Sequence, residues 1–188
     1  IMNNLSNQLL ACLTVILLFA TGTAMSDEGN TNTSYGKNAL TNNTSGEKNS
    51  AFGKNALYYN TSGDQNTAVG KNALFANTSG EQNVAVGTDT LFSNTTGRYN
   101  VAIGENAMGA NTTGFYNTAV GPLALEANKT GQQNTAIGTT ALYRNTKGAY
   151  NLAVGNAALY SNTTGKYNTA LGRRALIGLK TGNFNTAL

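Results

Sequence analysis

Hydrophobic and polar positions recur along this chain with a period of 17 residues. Residues 66–70 read N-T-A-V-G, and close variants of this string return at the same interval. The asparagine that opens each copy stands at Asn32, Asn49, Asn66, Asn83, Asn100, Asn117, Asn134, Asn151, Asn168 and Asn185. No insertion or deletion disturbs the phase, so nine complete copies precede the start of a tenth. A fixed short period of this kind predicts a repeat architecture.

The unit N-[TV]-A-[VIL]-G-x-x-A-L-x-x-N-T-[TS]-G-x-x has three parts: a β-prone run, a segment carrying Ala-Leu, and a turn. One glycine follows the run (Gly36 to Gly172) and another ends the turn (Gly46 to Gly182), each in all nine complete copies. Glycine suits backbone with positive φ, and asparagine tolerates it. Two such corners leave no room for a helix of useful length, since helical repeats are about 30 residues or longer.

One coil of a β-solenoid per unit is the architecture that remains. Parallel pairing would stack each coil on the next at about 4.8 Å, so nine coils would extend over about 43 Å. Stacking aligns identical residues into ladders, and asparagine ladders are favourable because their side-chain amides bond along the axis. We therefore predict an all-β protein, a parallel β-solenoid (β-roll) over residues 32–188.

Three apolar columns run through the repeats. The leucine column, which we expect to fill the core, is Leu40, Leu57, Leu74, Leu91, Met108, Leu125, Leu142, Leu159 and Leu176. The branched ladder is Val69, Val86, Ile103, Val120, Ile137, Val154 and Leu171. The alanine column runs from Ala51 to Ala187, with Ser34 as its exception.

Strand alternation puts the alanine column and the branched ladder on opposite faces of the strand. Both faces cannot lie inside one narrow coil, so one apolar ladder should be exposed on a lone chain and buried against other chains. The sequence thus predicts a homo-oligomer, most simply a trimer around the long axis. An end-to-end filament is the alternative, because an open strand edge can template another strand.

The N-terminal segment has a different character. Residues 9–24 read LLACLTVILLFATGTA, with no charge before Asp27. An apolar core that ends in small residues is typical of a secretory signal, and it is short for a membrane span, which needs about 20 residues. We predict an apolar helical signal peptide at 1–24, a short linker at 25–31 and the solenoid at 32–188. The alternatives for residues 1–24 are a retained membrane anchor and a buried core helix. If the signal peptide is cleaved, we expect the mature chain to be secreted, extracellular or at the cell surface, without a membrane span.

Composition argues against catalysis. Charged residues make up 11% of the chain, and it has no His, no Trp and a single Cys, whereas acid–base and metal chemistry draw mostly on His, Cys, Asp and Glu. We therefore expect no enzyme activity, catalytic residue, metal or cofactor. The net charge is +4, but only Arg173 and Arg174 are adjacent. No nucleic-acid partner is expected, because one would need a denser basic stripe.

Sequons of the form N-x-[ST] recur in the turn, at Asn43, Asn60, Asn77, Asn94, Asn111, Asn128 and Asn162. Each would accept a glycan in a secreted eukaryotic protein. The alternative is that these asparagines form the turn. Asn145 favours the alternative, because it keeps the asparagine while Lys147 removes the sequon.

Aromatic residues occupy two columns of the repeat. The first, which we call the ring column, is Tyr58, Phe75, Phe92, Tyr143 and Tyr160. The second ring column is Tyr99, Tyr116, Tyr150, Tyr167 and Phe184. Ladders of rings would bind sugars or other surfaces; the alternative is ring-on-ring stacking that stiffens the solenoid.

Threonine and serine form a further column in the turn, from Thr44 to Thr181. A regular threonine array on a flat face could order water, as ice-binding proteins do. Against this, the two hydroxyl positions are adjacent, so their side chains should diverge, and Lys129, Lys147 and Lys180 interrupt them.

The string N-T-A-V-G-x-x-A-L followed by a glycine turn resembles the head repeat of YadA-like trimeric autotransporter adhesins. Runs of N-T-A-x-G-x-x-A-L-x-x-N-T-T-G are also similar to repeats of bacterial tail-fibre-like proteins. The resemblance covers residues 32–188, although this unit is three residues longer than the usual adhesin head unit. It implies a left-handed roll, trimeric assembly, and adhesion or fibre formation at the cell surface.

Taken together, these features favour a secreted structural or adhesive repeat protein that forms a stiff extracellular fibre or an adhesin head. Its expected partners are copies of itself, and host or environmental glycans and surfaces. The alternative from another class is a monomeric ice- or carbohydrate-binding β-solenoid module.

Overall fold

The computed structural model describes residues 25–27 and 30–188, and this part of the chain is a parallel β-solenoid of about nine coils. Each coil takes one unit of the repeat, as predicted, and the described residues contain no helix. The predicted signal helix at 1–24 lies outside the described residues.

One short strand opens each coil. The strands are β1 Met25–Asp27, β2 Asn30–Tyr35, β3 Ser50–Phe52, β4 Thr67–Val69, β5 Val84–Val86, β6 Val101–Ile103, β7 Thr118–Val120, β8 Thr135–Ile137, β9 Leu152–Val154, β10 Thr169–Leu171 and β11 Thr186–Ala187. They form one sheet in sequence order. From β2 onward every pair is parallel with a register of one repeat unit, as in Ala68 with Ala85 and Val69 with Val86. Because the phase is unbroken, each column of the repeat becomes a ladder along the axis.

The N-terminal edge of the sheet is covered by an antiparallel strand. β1 pairs with β2 through Met25 with Ser34 and Asp27 with Asn30. The predicted linker at 25–31 contains β1 and the start of β2, a pairing that the repeat pattern does not reveal because it begins only at Asn32. β1 is therefore the outermost strand at this end, and with three residues against the six of β2 it is a short edge strand, a common way to limit unwanted association.

The leucine column fills the core, as predicted. Its inner members, such as Leu74 and Leu125, are fully buried, together with the alanine column and a second line of alanines such as Ala73. The leucines adopt left-handed backbone, with φ of 52° at Leu74 and 54° at Leu125. Non-glycine residues rarely take this conformation, and sequence reasoning did not expect it for leucine. Each coil therefore has left-handed backbone at a leucine or methionine, where residue preferences do not predict it.

The two glycine columns have different physical causes. The glycine after the strand has positive φ, from 118° at Gly172 to 137° at Gly70, as expected. The turn glycines do not have positive φ, which corrects the expectation for the second corner. At Gly97 an added Cβ would lie 2.6 Å from the carbonyl oxygen of Gly114 in the next coil. The atom nearest to that Cβ would be Asn94 Oδ1 of the same turn. The turn therefore needs glycine because its own asparagine and the next coil both lie close to this position.

Candidate functional site

A ladder of buried asparagines runs through the interior of the solenoid. These strand asparagines are the residues that open each repeat, and they are fully or almost fully buried from Asn49 to Asn168. The Oδ1 atom of Asn83 accepts hydrogen bonds from the backbone N–H and the side-chain Nδ2 of Asn100, both at 3.1 Å. The Nδ2 atom of Asn100 also donates to the carbonyl oxygen of Gly114, at 2.9 Å. Each amide therefore links two coils and bridges the two ends of its own coil.

The turn asparagines form a second interior ladder. They are Asn43, Asn60, Asn77, Asn94, Asn111, Asn128, Asn145 and Asn162, and all but the first are buried. The Nδ2 atom of Asn111 donates to Asn94 Oδ1 at 2.8 Å and to the Gly114 carbonyl oxygen at 3.2 Å. The Gly114 carbonyl thus accepts one strand and one turn amide. The predicted asparagine ladders are confirmed, and they lie within the core.

Burial of the turn asparagines bears on the sequons. A glycan would be attached to the side-chain nitrogen, and in Asn60, Asn77, Asn94, Asn111, Asn128 and Asn162 that nitrogen donates two hydrogen bonds inside the folded coil. This arrangement favours the turn-forming interpretation of the motif over glycosylation of the folded chain.

The turn ladder stops at Asn162, because Leu179 stands where the next coil would place an asparagine. The Asn162 Oδ1 atom is buried and has no hydrogen-bond partner. We expect Leu179→Asn to supply the missing donor and Leu179→Asp to place a second acceptor there instead. The asparagine variant should be more stable than the aspartate variant by about 1–3 kcal/mol in chemical denaturation, the cost of an unsatisfied buried polar atom.

The control for this comparison is the same pair of substitutions at Thr181, which is exposed in the same turn. Thr181→Asn and Thr181→Asp should differ little in stability. Equal stability of the two Leu179 variants would contradict the proposed continuation of the ladder.

The branched ladder forms an exposed apolar stripe. Its side chains alternate with the buried alanine column; Val69, Ile103 and Ile137 are 39%, 41% and 41% exposed, and the other members of the ladder are half-buried. The ladder extends to Tyr35 and Phe52 at the N-terminal end, both exposed. The prediction that one apolar ladder is exposed on a lone chain is confirmed, and the structure identifies which ladder it is.

The ring column stacks along the axis with an interruption. The ring centroids of Tyr58 and Phe75 are 5.5 Å apart, those of Phe75 and Phe92 are 5.0 Å apart, and those of Tyr143 and Tyr160 are 5.2 Å apart, with planes within 15° of parallel. Between Phe92 and Tyr143 the column holds Gly109 and Glu126 instead of rings. A contact role for these rings remains a prediction.

The second ring column lies on the surface. Tyr99 and Tyr116 stack at 4.7 Å, Tyr150 and Tyr167 at 4.8 Å, and Tyr167 and Phe184 at 5.0 Å. All five side chains are exposed. The rings form two stacked groups separated by Gln133, and each group leaves ring edges in solvent. Stacking of this kind favours the interpretation that the rings stabilise the solenoid.

A groove of about 460 Å³ lies at the interruption of the ring column. Phe92, Gly109, Glu126, Asp89 and Asn72 are among the residues that line it. Burial raises the pKa of the Glu126 carboxyl group above its usual range. Sequence reasoning missed this groove, although the break in the ring column is visible in the sequence at Gly109.

The threonine hydroxyls at the first of the two turn positions donate hydrogen bonds to the next coil. The Oγ1 atom of Thr95 donates to the carbonyl oxygen of Thr112 at 3.1 Å, and Thr61 and Thr78 make the same contact with their next coils. The neighbouring hydroxyls, such as Thr96, point to solvent. The first-position hydroxyls of the paired array that ice recognition would need are therefore engaged in bonds between coils.

These features define the chain as a parallel β-solenoid repeat protein with an interior of asparagine and leucine ladders. No protein-family model matches the sequence, and neither a curated protein nor a solved structure is significantly similar to it. Within residues 25–27 and 30–188, no helix has the length and apolarity to cross a membrane. In the same part of the chain, His, Cys, Asp and Glu side chains form no group of three that could hold a metal ion.

Proposed function

We propose that this chain is a secreted structural and adhesive repeat protein, which forms a stiff extracellular fibre or adhesin head as a left-handed trimer. The observation that carries the proposal is the branched ladder, an apolar stripe exposed along the rod. Contiguous exposed apolar surface on a soluble protein marks an interaction site. Secretion is supported by the apolar run at residues 9–24, and handedness by the resemblance to adhesin head repeats.

A second copy of the same chain is the occupant that fits the stripe best. Every position of the ladder from Tyr35 to Leu188 is apolar, so the stripe has no charged interruption. Its side chains repeat with the spacing of parallel strands, about 4.8 Å. Another chain with that spacing can meet the stripe at every coil, whereas a partner of different periodicity loses register after a few residues. Cyclic assembly buries the stripes of all the chains around one axis.

The proposed mechanism is multivalent presentation. A stiff rod holds identical surface groups at fixed intervals, and contacts that are weak singly add through effective concentration. The second ring column and the exposed turn hydroxyls are the surfaces available for host or environmental glycans once the branched ladder is buried.

The oligomer is tested by mass in solution. We expect the secreted protein to sediment as a single oligomer, and the double variant Ile103→Lys with Ile137→Lys to lose that assembly, since two buried lysines per chain would face their own copies near the axis. The expected readout is a shift to monomer or to unfolded chain in analytical ultracentrifugation and circular dichroism.

The matched control carries the same charges outside the stripe. Tyr116 and Tyr150 are about as exposed as the two isoleucines, so Tyr116→Lys with Tyr150→Lys should leave the mass unchanged. A wild-type protein that is a monodisperse, folded monomer would contradict the proposal.

A monomeric carbohydrate-binding module is the second candidate, and the exposed stacked rings of the second ring column favour it. Binding to a glycan array by a folded monomer would support this candidate over the fibre. The ice-binding version receives no comparable support, because the Thr61, Thr78 and Thr95 hydroxyls are engaged in hydrogen bonds to the next coil.

A further inference from the structure

Gly109 differs from the repeat glycines because the backbone does not require it. Its φ is not positive, and an added Cβ would have as its nearest neighbour the carbonyl oxygen of Asn106, at 3.4 Å. The coils on either side carry Phe92 and Glu126 at the same position of the repeat. The missing side chain therefore leaves an opening on the surface rather than relieving a steric conflict in the fold.

The opening has the width of one stacked ring. Rings in this column stand 5.0 to 5.5 Å apart where they are stacked. Phe92 and Glu126 belong to coils two apart, which places them about 10 Å from each other along the axis at the spacing of parallel strands. A flat group that enters at Gly109 would lie over the Phe92 ring, in the place of the absent ring.

The charge of the groove is negative. Both Asp89 and Glu126 line it, and its lining contains no lysine or arginine. Asp89 accepts a hydrogen bond from Asn72 Nδ2 at 2.8 Å, which uses only part of the acceptor capacity of its carboxylate. A partly desolvated carboxylate beside an aromatic face is the arrangement that recognises a cation, through charge-assisted hydrogen bonds and a cation–π contact.

We propose that this groove binds a flat organic cation, with the guanidinium group of an arginine side chain as the best fit. Guanidinium is planar, stacks on aromatic rings and pairs with carboxylates through two parallel hydrogen bonds. In the bound state it stacks on Phe92 above Gly109 and donates to Glu126 and Asp89. A neutral sugar would leave both carboxylates without a counter-charge. The groove contains no residue of the branched ladder, so this site is independent of the proposed oligomer.

The test is a titration of the full, folded protein with N-acetyl-arginine methylamide, followed by isothermal calorimetry and by amide chemical shifts. The neutral matched ligand is N-acetyl-citrulline methylamide, which has the same shape without the charge. We expect saturable binding of the arginine compound at one site per chain. The citrulline compound should bind at least about tenfold more weakly, the loss expected for one charge-assisted contact.

Two variants locate the site. Gly109→Phe places a ring in the opening and should abolish binding, and Glu126→Gln should weaken it about tenfold. The control Glu81→Gln removes the same charge outside the groove and should bind as the wild type does. If Gly109→Phe does not fold, Glu126→Gln and the citrulline comparison still decide the question. Any of four results would overturn the proposal: no binding of the arginine compound, equal affinity for the two ligands, unchanged affinity in a folded Gly109→Phe variant, or tighter binding of a pyranose.

Discussion

Replacing Asn100 with aspartate should unfold the centre of the solenoid. The Nδ2 atom of Asn100 donates to two acceptors, Asn83 Oδ1 and the Gly114 carbonyl oxygen, in a site with no solvent exposure. Aspartate has nearly the same shape but would bring a negative oxygen against both acceptors. An uncompensated charge in the interior costs about 3–5 kcal/mol, and the loss should be seen in urea denaturation and in hydrogen exchange of the adjacent coils.

The pH dependence of this loss identifies its cause. Burial between two acceptors would raise the pKa of the new carboxyl group in the folded state above its unfolded value. Stability relative to the wild type should therefore be highest below the unfolded pKa and should fall as pH rises through the folded pKa. Asn156 is exposed, so Asn156→Asp is the matched control and should change stability little at any pH. A deficit in Asn100→Asp that does not depend on pH would point to altered packing instead of charge.

The substitution also measures how cooperative the rod is. Each coil contacts only its two neighbours, so stability in a solenoid is close to a sum of coil and interface contributions. The Asn100 amide contributes to both the coil and the interface terms, because it links its coil to the preceding coil and bridges the two ends of its own coil. Loss of hydrogen-exchange protection should therefore be greatest near β5, β6 and β7 and decline toward β10.

The strand register and the core were predictable from the sequence because the phase never breaks. With a constant period and no insertion, pairing Ala68 with Ala85 was the only choice that aligned the columns. The buried leucine column followed from the same alignment. Strand alternation also separated the alanine column from the branched ladder, and the structure then showed that the ladder is the exposed one.

The corners were less predictable, because their conformation is imposed by the neighbouring coils. Met108 takes left-handed backbone, with φ of 53°, although methionine has no preference for it. Positive φ was expected for the turn glycines, but glycine is needed there because the turn asparagine and the next coil both lie close to it. Single-repeat reasoning cannot show such contacts, since they exist only once the coils are stacked.

The candidate sites also differ in how well the sequence predicts them. The branched ladder is periodic, so the repeat itself predicts it. The groove lies where Gly109 and Glu126 differ from the aromatic residues of the ring column. A consensus of the repeats leaves such exceptions out, so it does not predict the groove. The end of the turn ladder at Leu179 is another departure, and it produces a buried oxygen without a donor at Asn162. Features that the repeat alone does not predict are therefore found at the positions where a coil departs from the consensus.

Gly104→Ala is the second substitution with a large expected effect. Gly104 has φ of 126°, and an added Cβ would lie 2.7 Å from the carbonyl carbon of Gly121 and 3.0 Å from the backbone nitrogen of Pro122. Both neighbours are backbone atoms, so no side chain can move aside. Backbone strain and overpacking each cost about 1–3 kcal/mol, so we expect a combined loss of about 3–5 kcal/mol in denaturant unfolding.

Three further alanine variants separate the two causes. Gly172→Ala has positive φ, at 118°, with no atom within 4 Å of the new Cβ, so it should show the strain alone. Gly97 has no positive φ, and an added Cβ would meet both Asn94 Oδ1 of its own turn and the Gly114 carbonyl oxygen of the next coil, so Gly97→Ala should show the close contacts without the strain. Gly109→Ala has neither problem, and it should leave stability unchanged or raise it by about 0.4–1 kcal/mol by restricting the unfolded chain. If Gly104→Ala lost no more than Gly172→Ala, close stacking of the coils would not be the reason for glycine after the strand.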